Sequence, residues 1–377
     1  QQTIQTLVIQ WNGRATYCDE LQGIIDQELR MFDLVKSLYH QETYAVSRRS
    51  VLTALACLPL TLLTSSLQKF MQPPHPEAFL PECTASIRAC WDLLNGDELA
   101  PIEQTLPAYL PTLVDWAKQP SRYQETAAAL AAQGSLIIRL ITFHQNHLKE
   151  SLTYAHQAVE LARISGNHDL IAYALLMTGC AIYWTDQPHT MLQKNQEAAL
   201  LLPEVASPLQ SYIQAKLALA YAHNNNFSEA QRAISKAHDL FSGDFSSAPC
   251  YVSADYSLSQ LISLEGMTHL ALGAKDVNQP LTHYEHARDA LSTIDHLSPG
   301  IAIAPRNCVE IINHRAQAAI GMGDLDETEH YLLSGMQGAT ALGSEKRRQE
   351  VIANWHAAKQ RWPQEKKVLA LGESMLS

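Results

Sequence analysis

Apolar residues recur every three or four positions along most of the chain, the period of a helix that buries one face. Leu21, Ile24, Ile25, Leu29, Phe32, Val35 and Leu38 form one such stripe and predict two or three helices before residue 70. The run Gln72-Pro73-Pro74-His75-Pro76 then breaks the pattern, because each proline lacks an amide donor and restricts the residue before it. Residues 1–72 therefore read as an N-terminal helical cap or linker, and 77–377 as a helical repeat array.

Within the array one helix, a short polar turn and a second helix return at intervals of about 40 to 50 residues. The clearest unit carries Leu217, Ala218 and Tyr221, then the turn Asn224-Asn225-Asn226-Phe227, then Ala230, Ile234 and Ala237. Alanine at 218 and 230 lets two helices cross closely, and asparagine tolerates the left-handed conformation that ends the first of them. The skeleton recurs at Gly179, Ile182 and Ala198, at Gly266 and His269 with Tyr284 and Ala287, and at Ala316 and Ala319 with Leu332 and Gly335. Upstream, Gly134 and Ile137 lead to Leu152, Ala155 and Ala158, and Cys83 to Leu94 with Leu99 to Ala117 make a degenerate first pair. Six pairs and a terminal helix are expected, with no run of alternating β-branched residues to suggest a strand.

The spacing, and in particular Asn226-Phe227-Ser228-Glu229-Ala230 and Gly323-Asp324-Leu325-Asp326-Glu327, resembles the tetratricopeptide family over roughly residues 77 to 375. That resemblance implies an all-α, right-handed solenoid of antiparallel helix pairs. The long period, the stretch Ser47 to Leu63 and the closing Trp362-Pro363-Gln364-Glu365 are similar to the long-helix arrays of bacterial regulatory proteins. In those, the array often follows a helix-turn-helix domain and senses a peptide or protein. Residues 1–46 carry no such DNA-binding pattern.

Charge and cysteine content narrow the classes. Lys plus Arg number 27 against 38 Asp plus Glu, a formal charge of -11 that repels polyanions, so direct nucleic-acid binding is not expected. The 7 cysteines are spread without a C-x-x-C pair, which fits a reduced, cytoplasmic interior, and Cys83 and Cys90 read as core thiols. Ser47-Arg48-Arg49-Ser50 before the apolar stretch 53–63 resembles a twin-arginine export signal. It sits too far into the chain and its apolar stretch is too short to span a bilayer, so it reads as a buried helix interrupted by Pro59, with no membrane role.

Chemistry is sparse. No phosphate loop, dinucleotide fingerprint, nucleophile elbow or zinc-protease helix occurs, so neither an enzyme nor a cofactor is expected. Among 16 histidines, His144 with His147 and His283 with His286 share helical faces. A metal there needs a third ligand, and Glu285 points the wrong way round the helix, so the histidines read as surface and turn-proximal groups with no metal. The basic run Lys346-Arg347-Arg348 reads as a solvated helix face.

In stacked helix pairs the first helix of each unit lines the concave surface. This places Arg139, Tyr173, Tyr183, Tyr212, Gln260, Glu310, Asn313 and Gln317 on the expected binding face. Amides both donate and accept, which suits a peptide backbone, and tyrosines add area with a polar handle. The expected function is a non-enzymatic module that binds a peptide or protein, the sensor part of a bacterial regulator, with homo-oligomerisation open. Because the chain opens on Gln1, the alternative is an oligomerisation or regulatory segment of a larger enzyme or helix-turn-helix transcription factor.

Overall fold

The computed structural model describes residues 75–95, 99–246, 248–297 and 303–376. The expected N-terminal cap (1–72) and the apolar stretch 53–63 lie outside the described residues. By contact the chain divides into two compact units, Gln1–Ser86 and Ile87–Ser377.

The described residues form an all-α solenoid of tetratricopeptide-like antiparallel helix pairs. Fifteen α-helices are described: α1 (Pro76–Asn95), α2 (Leu99–Lys118), α3 (Gln124–His144), α4 (Leu148–Ser165), α5 (His168–Tyr183), α6 (Pro188–Ala199), α7 (Ser207–His223), α8 (Phe227–Leu240), α9 (Cys250–Asp255), α10 (Leu258–Gly273), α11 (Pro280–Thr293), α12 (Pro305–Met322), α13 (Leu325–Leu342), α14 (Glu345–Arg361) and α15 (Lys366–Leu376). That is two more than the sequence suggests. The terminal helix is a pair, α14 and α15, broken at Trp362-Pro363, and α9 belongs to no pair.

Local chemistry sets the helix ends. Asn167, Ser257, Asp324 and Ser344 each accept the amide three residues on, satisfying a donor that the first turn leaves orphaned. Within the pairs the residue before the N-cap has positive φ: Asn146 (62°), Asp186 (54°), Asn225 (61°) and Gly323 (86°). Asparagine, aspartate and glycine are the residues that tolerate that conformation, so this position marks the repeat. It recurs after 40 residues (146 to 186) and then 39 (186 to 225).

From α3 to α14 the first helix of each pair packs on its own second helix and on the neighbouring first helices of that series. Small residues make the crossings close: Ala218 and Ala230 are fully buried, and a Cβ on Gly179 would lie 2.6 Å from Asn195 Oδ1 of α6. The last pair is fixed by Trp355, whose indole N–H donates to the Val368 carbonyl at 2.8 Å over a core of Val351, Ala358 and Leu371. Helix α3 is long and apolar enough to cross a membrane, but 72% of its apolar window is buried inside the protein.

Two features close the interior of the Ile87–Ser377 unit. Helix α14 returns to α3, where His144 Nδ1 lies 3.3 Å from Ser344 Oγ across 200 residues of sequence. The other feature is the segment from Phe241 to Ser257. Helices α7 and α10 pack directly on each other, so this segment leaves the stack and folds onto the inner faces of the first helices. Tyr251 meets Tyr173 at 5.0 Å and Trp91 at 6.3 Å, while Tyr256 stacks on Tyr212 at 4.4 Å and its hydroxyl lies 2.7 Å from Ser211 Oγ.

Candidate ligand-binding channel

Between these closures the first helices leave a cavity of about 90 Å³. Helices α3, α5, α7, α10, α12 and α14 all contribute to its wall, and α6 and α9 add Asn195 and Asp255. Of the eight residues expected on the concave face, Arg139, Tyr183, Tyr212, Gln260 and Glu310 line this cavity. The other three do not. Tyr173 is buried behind Tyr251, Asn313 lies beneath Arg347, and Gln317 is exposed.

The cavity wall is basic. It carries Arg139, Lys216, Arg306 and Arg347 against the carboxylates Asp255 and Glu310, in a chain whose formal charge is -11. Arg347 is paired with carboxylates through both terminal nitrogens: it meets Glu310 at 2.9 Å and donates to both Glu350 oxygens at 2.9 Å, while its Nε is buried without a partner. Asn313 donates to the same Glu350 at 3.1 Å, and Lys346 lies 3.2 Å from it. Burial alone would raise the Glu350 carboxyl, but Arg347 and Lys346 outweigh it and hold the group at about 2. Lys346 also sits 3.1 Å over the Trp184 ring. The run Lys346-Arg347 is thus buried, not a solvated face, because curvature of the stack brings α14 against α3 and against Trp184, the residue after α5.

Asp255 is also engaged, since the Tyr212 hydroxyl donates to it at 2.7 Å. Burial and then the Asp255 carboxylate push both the Tyr212 and Tyr173 phenols up, so they stay protonated donors. His144 is buried, which corrects its reading as a surface histidine. Burial, then the Arg347 and Arg306 guanidiniums, hold it well below the ordinary imidazole range, leaving it neutral.

Arg139 differs from these groups. It is 4% exposed and lies 5.4 Å over the Phe143 ring, and among the described residues its one hydrogen bond is a long one of 3.9 Å to the Met177 sulfur. Its Nε has no partner, and among the described residues no carboxylate pairs with it. A buried guanidinium without a counter-ion carries an unmet desolvation cost, which an anionic group placed beside it would relieve. The cavity has room for a carboxylate or a short side chain.

Sequence reasoning missed Lys216, Asp255, Arg306 and Arg347. Arg306 was within reach of the pattern, since it starts the same α12 stripe as Glu310, Asn313 and Gln317, of which only the N-terminal half reaches the cavity. The aromatics Phe241, Phe245, Tyr251 and Tyr256, in a stretch otherwise rich in Ser, were the one signal that the insertion packs.

No protein-family model matches the chain, and no curated protein sequence matches it. Among solved structures, the crystal structure of NprR in complex with its cognate peptide NprX is similar, at 14% identity over 88% of this chain and 90% of that one, with a TM-score of 0.49. The Cut9–Hcn1 hetero-tetramer of the APC/C is similar at 12% identity over 88% of this chain and 56% of that one, with a TM-score of 0.41.

Proposed function

We propose that this chain is a non-enzymatic binding scaffold, the cytoplasmic sensor part of a bacterial regulator, whose interior takes a peptide or protein segment through an acidic group. The observation that carries the reading is Arg139, buried at the cavity wall with no carboxylate partner among the described residues, with Lys216 and Arg306 in the same wall. Tyr183 and Gln260 add hydroxyl and amide groups beside it. A longer extended ligand has to displace the Phe241–Ser257 segment, which already covers Tyr173 and Tyr212.

The test is fluorescence anisotropy with a library of short peptides carrying free or amidated C-termini and acidic or neutral side chains. Acidic or free-carboxylate peptides bind, and Arg139→Met, which keeps the bulk, weakens them by roughly 10- to 100-fold, as loss of a charged hydrogen bond of about 1.5–3 kcal/mol requires. A library without a binder, or an Arg139→Met protein that binds as tightly as the original, overturns the proposal.

A further inference from the structure

Away from the cavity, α10 and α11 bring three histidines together. His283 and His286 share one face of α11, and the third imidazole, His269, comes from α10 across the pair. One ring nitrogen of each lies within 4.8 Å of the others. Met267 lines the cavity, whereas His269, two residues on and so about 200° round the helix, faces α11.

The surroundings are those of a metal site. His283 Nε2 lies 3.4 Å from Asp276 Oδ2, in the loop between the two helices, while its Nδ1 is buried without a hydrogen-bond partner. A carboxylate on one ring nitrogen that leaves the other for a metal is the usual outer arrangement of a ligating histidine. His269 Nδ1 is likewise buried and without a partner. Glu265, one turn before His269, is held by His238 Nε2 at 2.9 Å, so two carboxylates flank a place where a dication would bring two positive charges. We propose that His269, His283 and His286 bind a zinc-type divalent cation that clips α10 to α11.

Zinc holds nitrogen ligands at about 2.0–2.1 Å, which sets them roughly 3.4 Å apart, so the rings need shift by little more than an ångström, within the reach of side-chain rotation. Water supplies the fourth position. The site is independent of the proposed peptide-binding role.

The test uses full-length, tag-free protein stripped with chelator and then titrated with Zn²⁺ against a competing chelating dye, and with Co²⁺ followed by its visible absorption. One equivalent of Zn²⁺ binds tightly, and Co²⁺ gives the intense visible bands of a nitrogen-ligated tetrahedral site. His269→Gln and His286→Gln abolish both signals, Asp276→Asn weakens binding by roughly 10- to 100-fold, and His156→Gln, an exposed histidine elsewhere, changes nothing. Circular dichroism of each apo variant confirms that it is folded. If the original protein binds no tight equivalent, or His286→Gln binds as the original does, the site does not exist.

Discussion

Replacing Arg347 with Met should be among the most damaging changes in the interior. The guanidinium is 3% exposed and bridges Glu310 and Glu350, the second through both carboxylate oxygens at 2.9 Å. Methionine fills the space but leaves two carboxylates beside each other without their guanidinium, with Lys346 and the Asn313 amide still at Glu350. Breaking a buried ion pair on one side costs about 3–5 kcal/mol. The titration of Glu350 gives a similar size: a carboxyl moved from its ordinary 4.5 to about 2, at about 1.4 kcal/mol per pH unit, contributes roughly 3 kcal/mol. At roughly 2 °C or a little more per kcal/mol for a unit of this size, Tm falls by about 5–12 °C at pH 7. The folded-state value lies below the unfolded one, so this stabilisation is complete above 4.5 and is lost as pH falls toward 2. The gap between Arg347→Met and the original protein is therefore widest at neutral pH and narrows below about pH 4. Adding Glu350→Gln to Arg347→Met removes one of the two stranded charges and recovers part of the loss. Calorimetric melts of the three proteins at pH 7 and pH 3.5 check this. An Arg347→Met protein that melts within about 1 °C of the original, or a double variant less stable than the single one, refutes the reasoning.

Two further outcomes follow from the same structure. In Gly179→Ala, the new Cβ lands 2.6 Å from Asn195 Oδ1 and drives that side chain off the Lys216 carbonyl, to which it donates at 3.1 Å. The overpacking costs about 1–3 kcal/mol against a helix-propensity gain of about 1, so urea melts should show a net loss. His238 donates to Glu265 at 2.9 Å, a bond that raises the imidazole above its ordinary 6.5. Its stabilisation is present below 6.5 and disappears as pH rises through the raised value, so the Tm difference between the original and His238→Gln shrinks between neutral and alkaline pH.

The helices were legible because their causes are local. The 3.6 period, Asp324 and Ser344 as caps, and Asn225 or Gly323 at the left-handed turn act within a few residues, and these helix ends follow from their own neighbourhood. The candidate site was only half legible. Arg139, Tyr183, Tyr212, Gln260 and Glu310 lie where first-helix periodicity places them, whereas Gln317 fails because only part of the α12 stripe reaches the cavity. The third histidine was visible in the repeat skeleton but not as a neighbour of His283 and His286, since helical periodicity says nothing about which residue faces them across the pair.

The sequence alone therefore determined most of the helices and which of them line the inner face, consequences of short-range periodicity and turn chemistry, but neither α9 nor the break at Trp362-Pro363 that makes α14 and α15 a pair. Tertiary structure decided the rest. Curvature accumulated over successive pairs brings Ser344 to His144 and buries Lys346 and Arg347, a sum that no single repeat encodes. Only the assembled inner face creates a surface on which Tyr251 and Tyr256 can pack, so the fate of the α9 segment is fixed by contacts with helices that precede it by up to 160 residues, from Trp91 to Tyr251.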